Sequence, residues 1–252
     1  MKKTNLILAA ICTFLVAFTS SCLDSGNSSR YDAYEFMTIE GEYPFYDAYG
    51  ESGTEYDIQN PTELQVKDTS GQEYKYHRAI VFFKYQDDKT EAKIRKISVV
   101  GVNPLTESEV SFKRDTLKLT EDNEIDTSKY QPFVRGNWTS YNRGYLTVNF
   151  GFMPDENVKL ENFILVVDKV EGNSVNLRLV NTTERGNDGY VTTSIDTPIS
   201  YKFNLMHLEH DYNEQIDRSK PILVTVSLDV QSEGVKNIGK EPLEIKLNEF
   251  GL

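Results

Sequence analysis

The 252-residue chain carries 27 Lys and Arg against 39 Asp and Glu, a formal net charge of −12 with His neutral. So acidic a surface repels phosphate backbones, which excludes nucleic acid from the expected partners, and it offers no polybasic grip on anionic lipid. The two cysteines, Cys12 and Cys22, both fall in the first tenth of the chain, so the folded part must rest on its apolar core rather than on a disulfide.

Lys2 and Lys3 precede an apolar run from Leu6 to Phe18, and Thr19, Ser20 and Ser21 follow with small side chains. That pattern reads as a secretion signal over residues 1–21, because the run falls short of the roughly 20 residues that cross a bilayer as a helix. "AFTSSC" (residues 17–22) resembles a bacterial lipobox, in which the cysteine thiol carries a diacylglyceryl group. The alternative is an ordinary signal with an incidental cysteine. Each buried methylene contributes about 0.8 kcal/mol, and stable attachment needs more than one acyl chain. Cys22 is therefore expected as the lipidated tether of an envelope protein of the outer membrane, with periplasmic or surface orientation open. Loss of Lys2 and Lys3 with the signal takes the net charge from −12 to −14. Residues 22–32, which include "SGNSS", read as a flexible spacer.

Beyond the spacer the periodicity is that of strands. "RAIVFFKY" (78–85) and "KIRKISVVGVNPL" (93–105) come first; then, in "YLTVNF", Leu146, Val148 and Phe150 share one face and Tyr145, Thr147 and Asn149 the other. "NFILVVD" (162–168) is apolar on both faces and predicts a central strand. The turn Glu171-Gly172-Asn173 joins it to 174–180, where Val175, Leu177 and Leu179 point inward. Tyr201, Phe203 and Leu205 alternate in "YKFNL"; Val224, Val226, Leu228 and Val230 follow, then Leu243, Ile245 and Leu247. These predict half-buried strands with one wet face. Only 207–217, "HLEHDYNEQID", has a trace of helical spacing, and it is expected as a solvated loop or a short helix. The fold class is all-β, and a polar, acidic stretch at 121–132 marks the expected division between two modules.

The order "RAIVFFKY", "KIRKISVVGVNPL", "NRGYLTVNFGF" (142–152), "NFILVVD" and "NSVNLRLV" resembles the NigD-like lipoproteins of the Bacteroidetes. The resemblance implies a lipid-anchored N-terminus, an N-terminal OB-like barrel over 33–125 and a C-terminal antiparallel β-sandwich over 126–252. It carries over no catalytic residues.

Tyr43, Phe45, Tyr46, Tyr49, Tyr74 and Tyr76 gather in the expected barrel, where an OB-like face could offer them as stacking platforms to a ligand. The alternative is that tyrosine simply suits half-buried strands. With 11 basic and 19 acidic side chains over 33–125, the net charge there is −8, which favours a neutral glycan or a peptide. Asp115-Thr116-Leu117 matches a short O-glycosylation signal of Bacteroidetes envelope proteins, making Thr116 a candidate modification site.

Other candidates are weaker. His207 and His210 share a side only if their segment is helical, and no third metal ligand is marked. Asp122, Glu124 and Asp126 lack the glycine and glutamate of a calcium loop. There is no G-x-S-x-G elbow, and His77 has no marked serine partner. No metal, cofactor or catalytic residue is expected. The chain therefore reads as a non-enzymatic binding module for a glycan, peptide or envelope protein; alternatives are a structural subunit of an outer-membrane assembly and, less favoured, a polysaccharide hydrolase.

Overall fold

A computed structural model describes residues 31–67, 73–87, 93–112, 114, 117–154, 157–184, 193–212, 216–217, 219–231 and 233–246. The all-β expectation holds. Five strands close a barrel in the order β1 (Ala33–Glu42), β2 (Phe45–Gly50), β3 (Glu55–Ile58), β7 (Ile94–Pro104) and β6 (Arg78–Tyr85), which returns to β1. All its pairings are antiparallel except β3 with β7. Strand alternation sends Met37, Ile39, Ala48, Ile58, Val81, Phe83, Ile97 and Val99 inward, and Leu64 joins them from a 3-10 turn at Pro61–Leu64. The short hairpin β4 (Gln65–Lys67) and β5 (Glu73–Lys75) stands beside the barrel as a separate two-stranded sheet.

The second module is built on β8 (Thr106–Ser111), β9 (Arg135–Asn142), β10 (Tyr145–Phe152), β11 (Phe163–Glu171), β12 (Ser174–Asn181), β13 (Ile195–Lys202), β14 (Ile222–Val230), β15 (Gly234–Asn237) and β16 (Leu243–Ile245). Its two layers are β9-β10-β13 and β11-β12-β14-β15, with β16 on β14. β8 links them, pairing over 106–109 with β13 and over 110–111 with β11. A strand that changes sheets in this way makes the corner of a sandwich. Phe133 bridges to Val230 at the far edge and nearly completes the circuit. The core between the layers takes the alternate residues expected from sequence: Leu146, Val148 and Phe150 from β10, Val175, Leu177 and Leu179 from β12, and Val224, Val226 and Leu228 from β14. Each such fully buried side chain contributes about 1.5–3 kcal/mol. The expected hairpin also forms: Glu171 pairs Ser174 across Gly172-Asn173, with Gly172 at φ +55°.

Three details depart from the sequence reading. The module is mixed, since β8 is parallel to both its neighbours and β12 is parallel to β14. The division expected at 125 falls after β8, which pairs wholly within the second module, so by hydrogen bonding the change of module comes at Leu105. The acidic stretch read as a linker is instead a strap on the outer face of β11 and β12, where Leu117, Ile125 and Tyr130 bury Val166 and Val180. The Tyr130 hydroxyl pins the strap by accepting from Lys118 N at 2.6 Å. Asp126, offered by spacing to calcium, caps a 3-10 turn by accepting from Ser128 N and Oγ. The helical alternative for the histidine segment wins: α1 spans Leu205–Tyr212.

Candidate functional site

The outer face of β10 and its neighbours is where the barrel sits. Alternation places Thr147 outward on β10, opposite Ser140 on β9 and Ser200 on β13, a row of three hydroxyls. Onto this row β6 lays Arg78, whose side chain points away from the barrel core and is wholly buried. Its guanidinium donates to Ser200 Oγ (3.3 Å), Thr38 Oγ1 (2.9 Å), Thr147 Oγ1 (2.6 Å) and Glu51 Oε1 (2.6 Å). Thr147 and Ser200 hydroxyls share a further bond at 2.9 Å. The Arg78 backbone N–H donates to Glu107 Oε1 on β8 at 3.0 Å. Burial pushes the Arg78 guanidinium pKa down and Glu51 opposes that shift; an arginine so partnered keeps its charge. Leaving such a charge without its carboxylate in a dry site costs several kcal/mol.

Around Arg78 a second ring of contacts fixes the angle between modules. Thr38 Oγ1 donates to Asn142 Oδ1 at 2.8 Å, and Asn142 Nδ2 donates to Gly50 O at 2.8 Å. The two-residue turn Arg143-Gly144 has positive φ at both positions (44° and 84°), the geometry of a tight hairpin, and it aims Arg143 at the barrel. There Arg143 grips Glu40 with two bonds of 2.6 and 2.7 Å and lies 3.9 Å over the Tyr49 ring. The bond to Glu40 raises the Arg143 pKa. Tyr145, half-buried beside Glu107, has its phenol pushed up to about 12, chiefly by burial. Phe36 meets Trp138 edge-on at 5.2 Å. Ser140 Oγ is buried with no hydrogen-bond partner among the described residues.

The six aromatics do not form one stacking face. Tyr46 is buried in the barrel and Tyr76 packs against the same core. Tyr49 serves the joint under Arg143. Tyr43 and Phe45 project from the β1–β2 hairpin tip, 50% and 82% exposed. The Tyr74 side chain, Thr116, Leu247 and Cys22 lie outside the described residues. His77 is exposed, 3.5 Å from Glu107. His207 and His210 are both exposed on α1, and His207 meets the Phe112 ring edge-on at 5.8 Å. Among the described residues no cluster of three or more His, Cys, Asp or Glu is placed to hold a metal. Arg78 itself was legible only as a charge at the head of an apolar strand, and its hydroxyl partners only as polar positions of an alternating one.

No family model and no curated protein matches the chain. Among solved structures, the fold is shared with a NigD-like immunity protein from Bacteroides caccae, at a TM-score of 0.51 and 13% identity, over 88% of this chain and 100% of that one. A protein from Parabacteroides distasonis, described provisionally as toxin-related, matches at a TM-score of 0.52 and 13% identity over 87% and 96%. The NigD-like resemblance of the sequence is thus met by a shared architecture of barrel and second β module.

Proposed function

We propose that the protein is a non-enzymatic interaction module of the cell envelope, held to the outer membrane by acyl chains on Cys22. The observation that carries this reading is the short apolar run ending in small residues and Cys22, nine positions ahead of Tyr31, the first described residue. The joint around Arg78 supports it from the other side: its hydrogen bonds hold two modules in one orientation, which suits a surface presented to a glycan, peptide or protein partner. An immunity role, the description borne by the Bacteroides caccae protein, is one form of such binding. Metabolic labelling with an alkynyl palmitate is the test. The wild-type chain should take up the probe and fractionate with membranes, and Cys22→Ser should do neither; label retained by Cys22→Ser, or absent from the wild type, overturns the anchor.

A further inference from the structure

The outward positions of β1 run Tyr34, Phe36, Thr38 and Glu40. The second module takes the last three, through Trp138, Asn142 and Arg143. Tyr34 lies beyond it, 60% exposed, and starts an apolar strip across the barrel. It pairs with Phe82 on β6, their rings 5.8 Å apart, and Tyr31 meets the same Phe82 ring at 5.0 Å. Phe82 in turn pairs with Gly101 on β7, where a Cβ would make an ordinary contact with the Phe82 ring at 3.9 Å. The bulge beside that pair turns out Val100, 44% exposed. Lys84, two residues along the same face of β6, is exposed as well.

We infer that this strip is the membrane-contacting face of the protein, seated in the headgroup layer of the bilayer that holds Cys22. The inference rests on the acylation reading and adds an orientation to it. Tyr31 is both part of the strip and only nine residues along the chain from Cys22. The chain from Cys22 to Tyr31 spans at most about 30 Å when fully extended, which keeps the strip, at the Tyr31 end of the barrel, within reach of the bilayer. Tyrosine rings with a phenol at the rim, beside a lysine, are the side chains that favour the boundary between headgroups and acyl chains. The hairpin tip with Phe45 sits at the other end of ten-residue β1, about 30 Å away at 3.3 Å per residue, and faces away from the bilayer.

The test does not depend on natural acylation. The chain from Cys22 onward has one thiol, which can be coupled to maleimide-bearing lipid in phosphatidylcholine–phosphatidylglycerol vesicles with brominated acyl chains. In a Trp138→Phe background, a reporter at Tyr34→Trp should lose about half its fluorescence or more to the bromines, as an interfacial indole does. One at Phe45→Trp should keep its intensity. With Trp138 left in place, vesicle coupling should slow amide exchange at 33–35 and 82–84, and Tyr34→Ser/Phe82→Ser should remove that protection. Equal quenching at both reporters, no quenching at 34, or burial of 34 that depends on protein concentration and so marks a second copy, would each overturn the membrane face. Palmitate labelling decides the anchor separately.

Discussion

β10 separates two dry environments made in different ways. On its inner face Phe150 sits wholly buried among Phe133 (5.2 Å), Phe163 (4.9 Å) and Phe152 (6.2 Å), a cluster held by area and ring contact. On its outer face Thr147 is equally buried, but its neighbours are a guanidinium and two serine hydroxyls. Apolar packing is nearly indifferent to small rotations, whereas hydrogen bonds to a planar guanidinium are directional. The inner face therefore supplies stability and the outer face supplies an angle.

Substitutions on the two faces should separate these roles. The largest loss is expected from Phe150→Ala, about 3–5 kcal/mol in a denaturant titration, as for other large core truncations. Arg78→Ala comes next, at about 3 kcal/mol, because it strands Glu51 in a largely buried site. It should also loosen the modules, read as a larger radius of gyration in small-angle scattering; an unchanged scattering curve would break the distinction. Arg143→Ala removes a pair that is about a third exposed on each side. Screening holds its effect to about 1 kcal/mol or less, and that effect should shrink in high salt.

The remaining effect concerns pH, and solvent screening discounts it because Tyr145 is only half-buried. Tyr145 has its folded-state pKa raised from 10.0 to about 12. Its contribution is fully present below 10 and is lost as pH rises through 12, so stability should fall across that window. The alkaline absorbance titration should show Tyr145→Phe losing one late-ionising phenol. Loss of an early one instead would mean that the barrel does not cover this residue.

Alternation alone identifies the inner face, since Leu146, Val148 and Phe150 stand against Tyr145, Thr147 and Asn149 in plain order. The same pattern misleads on the outer face: polar residues at every second position read as wet, yet Thr147 and Ser200 lie under the barrel. Polarity records that hydrogen bonds are needed and does not say whether water or Arg78 supplies them. Likewise Phe45 and Tyr46 are neighbours of similar character, and only the register of β2 decides that one is 82% exposed and the other 7%. The strap over Val166 hid for the opposite reason, its few apolar residues being diluted by acidic ones that face solvent.

β8 follows β7 after a single residue, Leu105, and its ladder partners β11 and β13 begin more than fifty residues later. The corner strand of one module is thus spliced directly to the last strand of the other. A cut beside Leu105 would leave each module its own ladders, β8 going with β11 and β13, but it would part the Arg78 guanidinium from Thr147 and Ser200. Shuffling by recombination, which trades whole autonomous parts, would find a seam in the backbone there and none in the joint, where a buried cation would lose its hydroxyl row.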